Sequence, residues 1–214
     1  MAGSTIQGNV LMNLPPLIFI AGPPRSGTTL LNRIICDSPG VGHFLPECTF
    51  LTQQIQQYSD ILLYADKERF GAYFGSEEKL RECYIKIVGV HLQTLVSNAG
   101  LDVNEPVVLK DPMLSLCLDQ APGLLPDGSR YIITLRDPRD VLASMKTVRS
   151  KQKQAWDFKK EATDVFNFYY KIQHASDLKS DAMYFIKYED IVASKFNGLD
   201  AFIKLSLKVS TYNN

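Results

Sequence analysis

The sequence predicts an α/β fold, a P-loop-containing parallel sheet flanked by helices on both faces, and three observations lead there. Short, continuous apolar runs alternate with longer amphipathic stretches, most of the runs end at a glycine or a charged residue, and no repeat or Pro/Gly/Ser-rich linker divides the chain. Strands that are apolar throughout are buried on both faces, which calls for parallel pairing with helical cover.

Taken in order, the predicted strands are Leu17 to Ala21, Val107 to Leu109, Tyr131 to Leu135 and Met183 to Ile186. Helical periodicity marks Thr28 to Cys36, Thr49 to Tyr64, Glu77 to Ser97, Leu114 to Ala121, Val141 to Val148 and Ala155 to Leu178. A single domain over 15–205 is expected, with flexible tails at 1–14 and 206–214. In such sheets ligands gather beyond the carboxyl ends of the strands. The unusual residues of this chain fall there.

The chain of 214 residues fits one α/β domain, and its formal net charge of zero argues against bulk nucleic-acid binding. Locally, Lys146, Arg149, Lys151, Lys153, Lys159 and Lys160 face a single acid, Asp157, as either a solvated surface or an anion-attracting rim. Cys36, Cys48, Cys83 and Cys117 have neither CxxC nor zinc-ligand spacing, so reduced thiols are expected. The first sixteen residues carry no signal-peptide pattern, and Leu17 to Ala21 is too short to span a bilayer. The expectation is a cytoplasmic protein, or a catalytic domain separated from its targeting segment.

The first strand runs into Gly22-Pro23-Pro24-Arg25-Ser26-Gly27-Thr28-Thr29, after which an apolar helix begins. A glycine-bounded turn feeding a helix points backbone N–H groups and the positive helix end at a phosphate. The glycine spacing is that of a nucleoside-triphosphatase loop, but Thr28 stands where that motif needs Lys. Without the lysine the loop is poorly equipped to cleave a triphosphate. The cation has moved to Arg25, which can clamp a terminal anionic group while Ser26, Gly27, Thr28 and Thr29 bind a 5′-phosphate. A plain strand-to-helix turn with a surface arginine is the bland alternative.

The third strand ends in Arg136-Asp137-Pro138-Arg139-Asp140, with Ser144 two helical turns beyond Arg136. Pro138 suits a first helical turn and Asp137 a cap. Arg136 and Ser144 can then hold a second phosphate, although such helix starts also make purely local caps and ion pairs. The two anchors together suit a nucleotide phosphorylated at two separate positions.

These elements resemble the sulfotransferase family. Residues 24–31, PRSGTTLL, look like its 5′-phosphosulfate loop, and residues 136–145, RDPRDVLASM, like its 3′-phosphate motif. Leu45-Pro46-Glu47-Cys48-Thr49 and Leu109-Lys110-Asp111-Pro112 are similar to segments of the tyrosylprotein and carbohydrate branch and of related bacterial enzymes; Phe185 to Asp190 is similar to the family's YED segment. The resemblance spans residues 15 to about 192. It implies the sulfotransferase-like nucleoside triphosphate hydrolase fold and a C-terminal portion longer than the residues that follow here.

The implied donor is 3′-phosphoadenosine-5′-phosphosulfate, with transfer of its sulfuryl group to a hydroxyl or amine and no metal required. Arg25 is assigned to the 5′-phosphate and sulfuryl oxygens, and Lys110 to the bridging oxygen. Tyr188 lies near adenine or packs on the sheet. Glu47 is the candidate base, able to serve if burial raises its pKa; it also suits a helix N-terminus, and His43 is its rival. Lys110 can equally pair with Asp111. The acceptor is a small molecule, carbohydrate or peptide. The competing readings are a P-loop nucleotide kinase-like enzyme and a catalytically inactive nucleotide-binding fragment.

Overall fold

The computed structural model describes residues 14–64, 67–176 and 181–203. The tails expected at 1–14 and 206–214 lie outside these residues except for Leu14, which packs against the core. Four strands, β1 (Leu17–Ala21), β2 (Val107–Lys110), β3 (Arg130–Leu135) and β4 (Met183–Lys187), form one sheet in the order β2-β1-β3-β4. All three pairings are parallel.

Strand alternation sorts the core into two layers. Leu17, Phe19, Ala21, Val107, Leu109, Tyr131, Ile133 and Met183 point to one face, and Ile18, Ile20, Val108, Ile132 and Ile186 to the other. The first face is covered by α2 (Thr49–Tyr64), α4 (Glu77–Ala99) and α7 (Phe158–Ser176), through Ile55, Leu80, Val88, Ile172 and Ala175 among others. The second is covered by α1 (Thr28–Cys36), through Leu31 and Ile35, and by Ile191 of α8 (Tyr188–Val192), with Leu199 and Phe202 beyond it. The remaining helices are α3 (Lys67–Phe74), α5 (Ala121–Leu124) and α6 (Pro138–Lys151).

The strands and most of the helices lie where the sequence predicts them, within a few residues at each end. The exception is 114–121, expected as one helix. It is a 3-10 turn at Pro112–Leu116 followed by α5. Asp111 caps the turn by accepting the Met113 N–H, and Pro122 in the first turn of α5 lacks the N–H a continuous helix would need. Helix α3 was not expected, because Gly71 and the charged start KER weaken its periodic signal. The predicted end of the Ala155 to Leu178 helix lies outside the described residues.

Strand order places the site. From β1 the chain moves to β2 on one side, and from β3 it moves to β4 on the other. A crevice therefore opens beyond the carboxyl ends of β1 and β3, where the connections part. The Arg25 loop and the Arg136 turn emerge into it.

Candidate active site

The loop after β1 is shaped by contacts that only small residues permit. Gly22 has φ of 147°, and a Cβ there would lie 2.3 Å from Thr134 Oγ1 and 2.5 Å from the Thr134 carbonyl oxygen. Its N–H donates to Ser115 Oγ at 2.6 Å. Ser26 is buried, and its hydroxyl donates to the Pro23 carbonyl at 2.6 Å; with that hydrogen spent, Thr134 is the donor in the 2.6 Å contact between the two hydroxyls. The Ser26 N–H also bonds to Pro23. Ser26 thus braces the loop from inside, and the groups that face the crevice come from the residues on either side of it.

The residues after Ser26 open α1. Gly27, at φ 97°, precedes the helix without a side-chain cap, and the first turn carries no acid. The N–H groups of that turn and the positive helix end therefore have no carboxylate against them within the helix. Thr28 is buried, whereas Thr29 is exposed and its hydroxyl accepts a 3.1 Å bond from Lys110 Nζ.

Arg25 sits at φ 70°, a left-handed conformation that costs a non-glycine residue free energy and persists only when neighbours fix it. They do so at both ends. Its Nε donates to Ser144 Oγ at 3.2 Å, and its carbonyl accepts from an Arg136 terminal nitrogen at 3.1 Å. Arg136 in turn lies 4.2 Å over the Tyr188 ring, and Tyr188 packs against the Cα of Gly27, where a Cβ would meet it at 2.7 Å. Arg25, Gly27, Arg136, Ser144 and Tyr188 are thus one connected cluster. The Arg136 Nε is buried without a hydrogen-bond partner, while a terminal nitrogen and the planar face of the same guanidinium are held by the Arg25 carbonyl and the Tyr188 ring.

Asp137 and Arg139 behave as the local-cap alternative foresaw. Asp137 accepts from both the backbone and the side chain of Arg139, and these bonds lower its carboxyl to a pKa of about 2. Arg136 points the other way, into the crevice cluster.

At the end of β2, Lys110 is 4% exposed, and its ammonium pairs with Glu47 as well as with Thr29. Strand parity turns it toward the face that α1 covers. Its partner is Glu47 and not Asp111: neighbouring strand residues face opposite ways, and one Asp111 oxygen caps the 3-10 turn while the other is buried without a partner. Glu47 lies two residues before α2, in a loop fixed by the Cys48 N–H donating to the Lys110 carbonyl at 3.1 Å. The burial that was given as a condition for its serving as base is absent, since its side chain is 50% exposed. His43 is exposed on the same loop, and no hydrogen bond joins it to Lys110 or Glu47.

Residues 16–201 match the model of the sulfotransferase family. The chain belongs to that family. A candidate protein-tyrosine sulfotransferase of Caenorhabditis briggsae is 29% identical over 139 residues, which are 64% of this chain and 45% of that protein. The match thus covers less than half of that relative's length. Two solved structures share the fold. A sulfotransferase domain from the curacin biosynthetic pathway is 20% identical with a TM-score of 0.57, over 90% of this chain and 74% of that one. A sulfotransferase from Mycobacterium tuberculosis H37Rv is 16% identical with a TM-score of 0.55, over 94% and 69%.

In this member of the sulfotransferase family the sequence reading missed Thr134, Ser115 and Tyr169. The first two hold the loop at Gly22 and Ser26; Tyr169 donates from α7 to the Arg136 carbonyl. Thr134 had one signal, a hydroxyl inside an otherwise apolar strand beside the loop. Among the described residues no group of three or more His, Cys, Asp or Glu could hold a metal ion, and no helix is long and apolar enough to cross a membrane.

Proposed function

We propose that the chain transfers a sulfuryl group from 3′-phosphoadenosine-5′-phosphosulfate to a hydroxyl or amine acceptor by in-line displacement. The observation that carries this reading is the joining of two cationic anchors, Arg25 and Arg136, across one crevice. A donor with phosphates at two positions fits both anchors, whereas a simple triphosphate would leave one unused.

In this reading the α1 N-terminus, with the N–H groups of Gly27, Thr28 and Thr29 and the Thr29 hydroxyl, holds the 5′-phosphate. Arg136 and Ser144 hold the 3′-phosphate beside Tyr188. Arg25 keeps Nε on Ser144 and turns its terminal nitrogens to the sulfuryl oxygens. The acceptor oxygen attacks sulfur as the bond from sulfur to the bridging oxygen breaks, and the electron pair leaves on the 5′-phosphate. Lys110 has two of its three hydrogens engaged by Thr29 and Glu47, and the third serves the departing oxygen. Glu47 takes the acceptor proton through its solvent-facing oxygen.

Thermal-shift titration tests the donor. Adenosine 3′,5′-bisphosphate should stabilise the chain without metal, by about 2.7 kcal/mol at a hundredfold excess over its Kd. Stabilisation only by ATP with magnesium would overturn the reading in favour of a kinase-like nucleotide site. Radiolabelled sulfuryl transfer to a panel of phenols, sugars and tyrosine peptides then separates an enzyme from an inactive binding fragment.

A further inference from the structure

Arg136 stands at the end of β3, just before the Asp137 cap of α6. The first carbonyl used by α6 is that of Asp137, which accepts from Asp140 and Val141. The Arg136 carbonyl therefore lies outside the helix and has no helical donor. Its partner comes from a different element: Tyr169, on α7, donates its hydroxyl to it.

We infer that Tyr169 is a positioning residue for the 3′-phosphate arm of the site, holding the Arg136 peptide so that the guanidinium is aimed at the ligand; this rests on the donor reading above. The platform behind it is firm. Val165, Phe168, Ile172 and Ala175 of α7 are buried, and Glu161, 4% exposed, joins α7 to Arg149 of α6 at 2.6 Å. A hydroxyl presented from such a helix fixes the turn more tightly than exchanging solvent would. Burial raises the Tyr169 hydroxyl above its ordinary pKa, so it stays a donor through the neutral range.

Fixing the carbonyl matters here because the contacts that aim the guanidinium are made by the side chain. One terminal nitrogen is spent on the Arg25 carbonyl and the planar face on Tyr188, so the other terminal nitrogen is the one left for an anion. If the Arg136 carbonyl loses its Tyr169 donor, the hinge between β3 and the Asp137 cap is free to shift, the Arg136 Cα moves with it, and those three requirements no longer coincide. Bidentate guanidinium contacts are sensitive to that aim.

The test compares two ligands by isothermal titration calorimetry, adenosine 3′,5′-bisphosphate and adenosine 5′-phosphate, on the full chain. Tyr169→Phe should weaken the bisphosphate about fivefold, as expected for one lost hydrogen bond, and leave the 5′-phosphate within about twofold. In an Arg136→Ala background the same change should add nothing to the discrimination between ligands. Equal losses for both ligands, no loss for either, or additivity with Arg136→Ala would each overturn the positioning role. If the unaltered chain fails to prefer the bisphosphate, the donor reading itself falls and the inference with it.

Discussion

At the donor end of the site, four chain segments are bonded to one another before any ligand arrives, whereas at the acceptor end one ion pair stands at the edge of solvent. The donor end joins the Gly22 to Thr29 loop, the Arg136 turn, Ser144 and Tyr188, with Thr134 and Ser115 beneath. The acceptor end offers Glu47, half exposed, against a buried Lys110. Preorganised donors aimed at fixed charge lower the cost of binding and of the transition state, so the tightly linked end suits a constant ligand. The open end suits variation in what approaches Glu47. Changes at the acceptor end should therefore alter turnover alone, and changes at the donor end should alter binding.

The largest expected effect follows from replacing the candidate base while keeping its bond to Lys110. Glu47→Gln should lower the rate of sulfuryl transfer by about 10² to 10⁴-fold, the range for loss of a general base. Affinity for adenosine 3′,5′-bisphosphate, measured by calorimetry, should stay within about twofold. Full retention of rate would remove Glu47 as the base, and a parallel loss of affinity would break the division between the two ends.

Next comes the loop itself. In Gly22→Ala the new methyl would overlap both Thr134 Oγ1 and its carbonyl, at a φ that L side chains rarely adopt. Urea denaturation should show a loss of about 3 kcal/mol, and bisphosphate binding should fall with it. At the second anchor, Arg136→Ala should weaken the bisphosphate about 30-fold, the loss of a charge-assisted contact worth about 2 kcal/mol, with little change in unfolding midpoint because the side chain lies at the crevice and not in the core. An equal loss toward adenosine 5′-phosphate would place Arg136 on the other phosphate.

The parts of this arrangement that could be read in the sequence are those written in contiguous residues. The four strands and the loop from Gly22 to Thr29 declare themselves by apolar runs and glycine spacing, and Asp137 with Pro138 announces the start of α6. The links between segments do not. That Ser26 turns inward depends on Thr134, which is 108 residues away, and the choice of Glu47 over Asp111 as the partner of Lys110 depends on a loop 63 residues earlier reaching the end of β2. Tyr169 lay hidden for the same reason: on a helix whose periodicity explains its buried face, nothing local distinguishes a tyrosine that bonds to a carbonyl 33 residues earlier. Pairing across a parallel sheet is non-local, so the contacts that aim side chains carry the weakest sequence signal.

The smallest expected effect concerns Cys48, the residue directly after the candidate base. Its position at the open end suggests a thiol whose modification would block the acceptor, yet the sulfur is turned inward toward Thr52 and Asp111. Burial, with a smaller contribution from the Asp111 charge, pushes its pKa up to about 12. Only the thiolate reacts with alkylating reagents, so at pH 8 Cys48 is held almost wholly as the unreactive thiol. Because the folded thiol titrates far above the ordinary value, its reactivity should rise only as pH climbs toward 12. Iodoacetamide at pH 8 should therefore leave both transfer activity and Cys48 mass unchanged in the folded chain, while peptide mapping after urea unfolding should show the residue fully alkylated. Rapid labelling of folded Cys48 with loss of turnover would mean that the Glu47 loop opens away from Lys110, and that the acceptor end is looser than a single ion pair and the backbone bond from Cys48 to Lys110 make it.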